Sequence, residues 1–148
     1  MVIELENPLD KSLGFQMVVA ARSMKRALDI KLNENGITSS QYTVLEILWK
    51  HNGLSLTDLG KLLYFDNPTI TGIINRMARA KLVRRMRDRN DRRVIKVHLT
   101  PKGWELQSIL PKLAEAVNKR AVDNFEKSER EAILNLTRRI HRNLTNSD

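Results

Sequence analysis

Residues 76–93, RMARAKLVRRMRDRNDRR, decide the fold of this 148-residue chain. They include nine lysines and arginines and two aspartates, which give the segment a net charge of +7. The whole chain carries only +9, because its other 17 basic residues are nearly balanced by 15 acidic ones. Positive charge concentrated in one segment is typical of a surface that meets a polyanion, so the composition favours nucleic acid as a partner.

Two short helices separated by a tight turn are predicted around the start of this segment. Ser55 and Asp58 can begin the first helix, which carries Leu56, Leu59, Leu62 and Leu63. Asn67 is suited to cap the second helix and Pro68 to take its first position, where a missing N–H costs nothing. The second helix has an apolar face, Ile70, Ile73, Ile74 and Met77, and leaves Thr69, Thr71, Gly72, Asn75, Arg76 and Arg79 outside it. The pattern predicts a helix-turn-helix, and an ordinary helical hairpin with a solvated face is the alternative.

After the second helix the spacing of apolar residues changes from helical to alternating. Val83 begins one predicted strand, and a second strand is indicated by the alternation of Ile95, Val97 and Leu99 with Val94, Lys96 and His98. Residues 88–92 must then close a hairpin between the strands. This hairpin adds a β wing to the helix-turn-helix.

Helical periodicity dominates the rest of the chain. Thr38 and Gln41 form a predicted capping box, and a second one is predicted at Ser128 to Glu131. A long helix is predicted from Thr100 onward. The terminal apolar stripes are Leu9, Leu13, Met17, Ala20, Met24, Leu28 and Leu32; Leu106, Ile109, Leu113 and Val117; and Ile133, Leu136, Ile140 and Leu144. The predicted fold class is therefore mainly α with a small β wing, in one domain spanning residues 1–148.

Several classes of function are excluded by composition. The chain has no cysteine, so it can form no disulfide, thiolate metal site or thiol redox sensor. His51, His98 and His141 lie in separate predicted elements, and the glycines form no phosphate-binding loop, so we expect no metal, no cofactor and no enzymatic activity. Because neither a signal sequence nor a membrane-spanning apolar run is present, a cytoplasmic protein with no membrane partner is expected.

From residue 13 to about residue 106 the sequence resembles the MarR family of winged helix-turn-helix transcriptional regulators. The resemblance is carried by residues 88–93, DRNDRR, and residues 99–103, LTPKG, which are similar to the family's wing signature and to the junction after it. Further matches, in the family's order, are Ile37-Thr38, Gln41-Tyr42, Val44-Leu45, Leu59, Leu62-Leu63, Thr69-Ile70-Thr71 and Ile73 to Met77.

The resemblance implies a double-stranded DNA partner and a homodimer. Residues 37–100 are expected to form the winged helix-turn-helix, and residues 8–35 and 101–145 the dimerisation helices. A small aromatic or phenolic effector is implied as well, in a pocket for which Met17, Ala20, Trp49 and Tyr64 are candidates; plain core positions are the alternative for these side chains. A monomer whose terminal helices fold back on the wing domain is the alternative to the dimer.

Specific DNA contacts are predicted for both elements. A recognition helix presents its N-terminal half to base edges, so Thr69, Thr71, Asn75 and Arg76 are expected to touch bases or nearby phosphates. Asn67 and the helix N-terminus are expected to hold a phosphate. By resemblance, Arg93 enters the minor groove and is braced by Asp91, while Arg89 and Arg92 contact phosphates. The alternative is that Asp88, Asn90 and Asp91 serve only to form the turn in an arginine-rich loop.

The chain departs from the family pattern at two positions. Gly72 stands where relatives often have a long polar or basic residue, so a contact is missing or the backbone approaches DNA closely. Lys81 stands where a glycine commonly ends the recognition helix, so a left-handed conformation there would be strained.

We expect a homodimeric repressor that occupies promoter DNA. The competing hypotheses are a sequence-tolerant architectural DNA-binding protein and a winged-helix protein–protein module of the transcription machinery.

Overall fold

The computed structural model describes residues 6–146, and within them the chain forms seven α-helices and two β-strands. In chain order these are α1 (Leu13–Asn33), α2 (Ser39–Lys50), α3 (Leu56–Leu63), α4 (Asn67–Arg79), β1 (Val83–Arg87), β2 (Ile95–Leu99), α5 (Pro101–Glu105), α6 (Leu110–Ala121) and α7 (Lys127–Thr145). A 3₁₀ turn, Leu106–Ser108, separates α5 from α6. The predicted class, mainly α with a small β wing, is confirmed. Among residues 6–146, each helix is too short or too polar to span a lipid bilayer.

The core lies between α2, α3, α4 and the inner face of the hairpin. The predicted apolar face of α4 is confirmed, because Ile70, Ile73, Ile74 and Met77 are all buried. Each buried side chain of this size stabilises the fold by about 1.5–3 kcal/mol, so α4 has one strongly preferred rotation about its axis. The side chains left outside the core are therefore held on the opposite, outward side of α4. Leu62 of the predicted α3 stripe is exposed, whereas Leu59 is buried.

Two of the predicted helix starts are confirmed. At α2, the N–H of Gln41 donates to Oγ1 of Thr38 at 3.2 Å, and Oε1 of Gln41 accepts from the N–H of Thr38 at 3.0 Å. At α3, the N–H of Asp58 donates to Oγ of Ser55 at 3.0 Å. Both caps satisfy N–H groups that have no acceptor within their helix.

The start of α4 differs by one residue from the prediction. Asp66, rather than Asn67, is the N-cap, and its Oδ1 accepts from the N–H of Thr69 at 2.8 Å. Asn67 and Pro68 are the first two helical residues. Proline is tolerated at either position, because the N–H groups of the whole first turn lack helical acceptors. A charged carboxylate also accepts a stronger hydrogen bond than an amide oxygen does.

The long helix predicted after the wing is broken. Pro111 lacks an N–H, and in a continuous helix its ring would clash with the carbonyl four residues earlier, so the chain passes through the 3₁₀ turn and restarts at Leu110. The break changes which side chains point inward. Ile109, predicted to face inward, is 44% exposed, and Leu110 is fully buried instead.

The terminal helices also begin at other residues than predicted. Ser12 caps α1, accepting from the N–H of Phe15 at 3.3 Å, so Leu9 lies in a turn before the helix. Glu126 caps α7, and its N–H donates to Oε2 of Glu129 at 2.7 Å. The predicted capping box at Ser128 is wrong, because a carboxylate two residues earlier performs the same reciprocal bonding.

Two long apolar faces lack cover within one chain. No residue of α7 is buried, and Leu144 in its predicted stripe is 78% exposed. In α1 only Leu32 is buried, and Leu13, Met17 and Met24 are exposed. α1 packs on α6 near the winged part, but both terminal helices present further apolar side chains to solvent. Faces of this kind usually pack against another molecule.

α4 ends at a lysine in a left-handed conformation. Lys81 has φ of +60°. Its N–H donates to the carbonyl oxygen of Ala78 at 3.0 Å, and the N–H of Leu82 donates to the carbonyl oxygen of Met77, also at 3.0 Å. These two bonds form a Schellman motif, which normally uses glycine at this position. Nζ of Lys102 donates to the carbonyl of Ala80 at 3.0 Å and satisfies one more free acceptor at the helix end.

The segment Leu99 to Gly103 fastens the wing to the helices. Oγ1 of Thr100 donates to the carbonyl of Lys81 at 2.6 Å, and the indole Nε1 of Trp49 donates to the carbonyl of Gly103 at 3.0 Å. A side chain at Gly103 would clash with the carbonyl oxygen of Leu82. The close approach at Gly103 therefore sets how the hairpin sits on α2 and α4.

Candidate nucleic-acid interface

The outward face of α4 carries small polar and basic side chains. Asn67, Thr69 and Arg76 are exposed, and Thr71 and Asn75 are half-buried at the edge of the face. The pKa of Asp66 is lowered by hydrogen bonds from the side chain and the backbone of Thr69, so the cap carries a full charge. The structure thus brings the five predicted residues of α4 onto one accessible side of the helix.

Asn75 also contacts the wing. Oδ1 of Asn75 accepts a hydrogen bond from Nη1 of Arg85 in β1 at 2.6 Å. Sequence reasoning did not single out Arg85. The signal that could have found it is the alternation of β1, which places Arg85 on the same strand face as the buried Val83 and so toward α4.

The wing loop is organised by Asp88. Its Oδ1 accepts from the N–H groups of Asn90 at 2.7 Å and Asp91 at 3.0 Å, and its Oδ2 lies 3.0 Å from Nζ of Lys96. The bond from Lys96, followed by those two N–H groups, lowers the pKa of Asp88 to about 2. Asp88 therefore forms the turn, which was the alternative explanation offered for it from the sequence. It also links the wing loop to β2 through Lys96.

Asp91 grips Arg93. Its Oδ1 accepts from Nε of Arg93 at 3.1 Å, and its Oδ2 accepts from Nη2 at 3.2 Å. The backbone N–H of Arg93 also donates to Oδ1, at 3.0 Å. The bond from the Arg93 side chain, and then that from its backbone, lowers the pKa of Asp91. This is the forked contact expected from the sequence, while the guanidinium-bearing side chain remains 91% exposed.

The basic charge of residues 76–93 is both exposed and nearly unpaired. All nine lysines and arginines of the segment are exposed. Among residues 6–146, Arg93 is the only one of the nine that forms an ion pair. Arg89 and Arg92 extend from the loop at the wing tip, and Arg92 offers its carbonyl to Nη1 of Arg87 at 3.4 Å. A polyanion lying along α4 and the hairpin would neutralise these charges.

The four predicted pocket residues occupy different surroundings. Trp49 is buried and bonded to Gly103, and its ring meets that of Tyr42 edge-on at 6.2 Å. Tyr64 is 76% exposed, and its ring lies 4.6 Å from that of His141. Met17 and Ala20 are exposed on α1. An open groove beside Tyr64 is lined by Thr137, Arg138, His141 and Arg142 of α7, and the other three candidates do not line it.

The three histidines bear no sign of metal chemistry in the part of the chain that the structure describes. No group of three or more His, Asp or Glu side chains between residues 6 and 146 could hold a metal ion. His141 instead packs against Tyr64, and His98 lies beside Gly53.

Comparison with known proteins identifies the family. A sequence profile of the MarR family matches residues 37–95. The HTH-type transcriptional regulator YsmB of Bacillus subtilis is 31% identical over 128 residues, which cover 81% of this chain and 85% of YsmB. The chain belongs to the MarR family. The resemblance seen in the wing and junction motifs is thereby confirmed.

Two further proteins are similar over most of the chain. The HTH-type transcriptional regulator TtmR of Methylorubrum extorquens is 35% identical over 126 residues, which cover 85% of this chain and 64% of TtmR. The chain thus spans just under two thirds of TtmR. The solved structure of BpsR from Bordetella bronchiseptica is 26% identical with a TM-score of 0.84, covering 93% of this chain and 98% of BpsR.

Membership of the MarR family also decides the class of protein. The relatives are named as transcriptional regulators, and BpsR is described by the regulation of its DNA binding by 6-hydroxynicotinic acid. A DNA-binding transcriptional regulator is therefore the class to which the family assigns this chain. The expectation that it is not an enzyme is confirmed by the family.

Proposed function

We propose that the chain is a repressor that binds a pseudo-palindromic operator in double-stranded DNA as a homodimer. The observation that carries this proposal is the pairing of an outward-facing α4 with an exposed, arginine-rich wing in which Asp91 braces Arg93. A helix of this kind fits the major groove, and a hairpin tip beside it reaches the adjacent minor groove.

In the proposed complex α4 performs the base recognition. Thr69, Thr71, Asn75 and Arg76 contact base edges or neighbouring phosphates, because these side chains lie outside the core face of α4. Asn67 lies in the first helical turn, where free N–H groups and the helix dipole favour a phosphate. The phosphate contact sets the register of α4 on the duplex without reading its sequence.

The wing performs a different task. Arg93 inserts into the minor groove, where its charge senses groove width and negative potential. Arg89 and Arg92 contact phosphates on either side. The fork from Asp91 limits the rotamers of Arg93 before DNA arrives, so less conformational entropy is lost on binding.

We further propose that the chain forms one domain whose winged part, residues 37–100, is joined to dimerisation helices in residues 8–35 and 101–145. The exposed apolar faces of α1 and α7 support this arrangement, and the absence of any buried residue in α7 argues against a monomer in which that helix folds back. A two-fold dimer would place two α4 helices about one DNA turn, roughly 34 Å, apart.

A small aromatic or phenolic effector is proposed to release the repressor. Support comes from BpsR, whose DNA binding is described as regulated by a small aromatic acid, 6-hydroxynicotinic acid. Such a ligand lowers DNA affinity only by its preference for a dimer in which the α4 helices are wrongly spaced. Met17, Ala20, Trp49 and Tyr64 remain the predicted pocket residues.

Selection of binding sites from random double-stranded DNA tests the proposal. We expect an inverted repeat whose half-sites lie one helical turn apart, and a steep loss of affinity as salt rises. Equal affinity for unrelated duplexes would identify an architectural protein instead. Little duplex binding at moderate salt would identify a protein–protein module.

Two matched pairs of variants test the role of the wing in DNA binding and the role of α7 in dimerisation. Arg93→Ala should weaken binding and relax preference at A·T positions under the wing, whereas Arg120→Ala, which removes an exposed arginine of α6, should do neither. Leu136→Glu on the apolar face of α7 should yield monomers in sedimentation, whereas Asn135→Glu, on the opposite face, should leave dimers. Unchanged behaviour of Arg93→Ala or of Leu136→Glu would remove the wing or α7 from the mechanism.

A further inference from the structure

Arg85 and Asn75 connect the wing to the recognition helix. Arg85 pairs directly with Val97 of β2, and directly paired residues of antiparallel strands point to the same face. Val97 is fully buried, so this face of the hairpin is packed toward the helices. From this face the Arg85 side chain reaches Asn75 and donates from Nη1 to Oδ1 at 2.6 Å.

The chemistry of this pair determines the orientation of the Asn75 amide. A guanidinium has donors and no acceptor, so the Asn75 atom that faces Arg85 must be the oxygen, and the amide nitrogen points elsewhere. Among residues 6–146 that nitrogen has no hydrogen-bond acceptor, and it is not buried. Its two N–H groups are therefore available to a molecule that approaches α4 from outside.

We propose that Arg85 is a positioning residue for base recognition, which holds the Asn75 amide so that Asn75 acts as a hydrogen-bond donor in the major groove. The inference rests on the proposed function, because it requires α4 to lie in that groove. Arg85 need not touch a base itself. It acts through Asn75, and this distinguishes it from the other arginines of the wing.

A donor at this position selects bases by their acceptors. In the major groove guanine offers the acceptors O6 and N7 and thymine offers the acceptor O4, whereas cytosine offers only the donor N4, and adenine sets the donor N6 beside its acceptor N7. An asparagine whose amide is free to turn prefers adenine, by accepting from N6 and donating to N7. Because Arg85 engages the Asn75 oxygen, we expect Asn75 to favour guanine or thymine at the position that it contacts.

The experiment compares variants on a set of operator duplexes. The operator selected by the wild-type protein is varied to all four bases at each half-site position, and affinities are measured by fluorescence anisotropy. Asn75→Ala identifies the position that Asn75 reads, where the wild-type preference for guanine or thymine should be about tenfold and should be lost. Arg85→Ala frees the Asn75 amide to turn, so it should move the preference at the same position, and at no other, toward adenine. Adding it to Asn75→Ala should change that preference no further.

Two further variants separate positioning from general attraction. Arg84→Ala removes the neighbouring exposed arginine, whose strand partner is His98, and should lower affinity equally for all duplexes. Asn75→Asp keeps an acceptor for Arg85 but has no N–H to donate. It should therefore move the preference from guanine or thymine toward cytosine or adenine, whatever its overall affinity.

Each outcome decides the proposal. If Arg85→Ala leaves the preference at the Asn75 position unchanged, or if Asn75→Ala changes no preference at all, the positioning role is wrong while operator recognition stands. If the wild-type protein selects no inverted repeat, the proposed function fails first, and that result is visible before any variant is made. Circular dichroism and thermal melting of each variant show whether the exposed Arg85 side chain is dispensable for folding.

Discussion

The carboxylate of Asp91 accepts two side-chain hydrogen bonds from Arg93, at 3.1 and 3.2 Å, on a surface otherwise rich in positive charge. Simple electrostatics predicts that removing this negative charge strengthens DNA binding. Bracing predicts the opposite, so we expect Asp91→Asn to weaken operator binding by roughly threefold or more, because Arg93 loses its fixed orientation.

Affinity measurements in an Arg93→Ala background provide the control for Asp91. With the arginine absent, Asp91→Asn should be neutral or should improve binding, since only the repulsion between its carboxylate and DNA remains. A gain in affinity in the wild-type background would show that Asp91 does not brace Arg93.

Gly103→Ala should destabilise the fold. The added methyl group would collide with the backbone of Leu82, which cannot move without shifting the wing. We expect a loss of about 3 kcal/mol, the upper end for overpacking, measured by urea unfolding. Operator binding should fall with it, because the same junction positions the hairpin. A change below about 0.5 kcal/mol would mean that the junction can relax.

Gly72→Ala should separate stability from affinity. A methyl group at Gly72 would meet only Nη1 of Arg76, at an ordinary 3.5 Å, and alanine favours helix over glycine by about 1 kcal/mol. We therefore expect a higher melting temperature. If the outward backbone at Gly72 approaches DNA closely, operator affinity should drop in the same variant. A variant that is both more stable and equally tight would show that DNA does not come so near.

Lys81→Gly should stabilise the fold. Lys81 adopts φ of +60°, a conformation that costs a residue with a side chain about 1 kcal/mol and costs glycine little. Thermal melting should show this gain for Lys81→Gly and not for Lys81→Ala, which removes the charge but keeps the strain. Equal melting temperatures for the two variants would contradict the argument.

The stability that Asp88 gives to the wing loop should depend on pH. Hydrogen bonds from Lys96 and from the loop N–H groups lower the pKa of Asp88 from 3.8 to about 2. A carboxyl whose pKa is lower in the folded state stabilises the protein above its unfolded pKa and loses that effect as pH falls through the folded one. The difference in melting temperature between wild type and Asp88→Asn should therefore be largest at pH 5–7 and should shrink between about pH 4 and pH 2. Lys96→Gln should weaken this pH dependence, and a constant difference would exclude Asp88 as its source.

The features of the fold that could be predicted from sequence are those in which local pattern and packing agree. The spacing of Ile70, Ile73, Ile74 and Met77 matches a helix, and burial of all four confirms the rotation of α4. The alternation in residues 95–99 likewise predicted β2 correctly. The contact between Asp91 and Arg93 was expected from the resemblance of residues 88–93 to the family's wing signature.

Other features depend on information that spacing does not contain. Asp66 and Asn67 are both good capping residues, and only the position of the Thr69 N–H decides between them. The apolar spacing of residues 106, 109, 113 and 117 fits one helix, which conceals the break caused by Pro111. Arg85 reaches Asn75 across ten residues of chain through the packing of β1 on α4, so no local motif could reveal the pair.

The interruption at Pro111 has a mechanical consequence. Because α5 and α6 are separate helices joined by one short 3₁₀ turn, the angle between them can change through a few backbone dihedrals without breaking the hydrogen bonds of either helix. The chain behind the wing is therefore interrupted at residues 106–108 and is not one continuous helix. A change in the angle between α5 and α6 would let the two α4 helices of the proposed dimer alter their separation, while each winged part keeps its own internal packing.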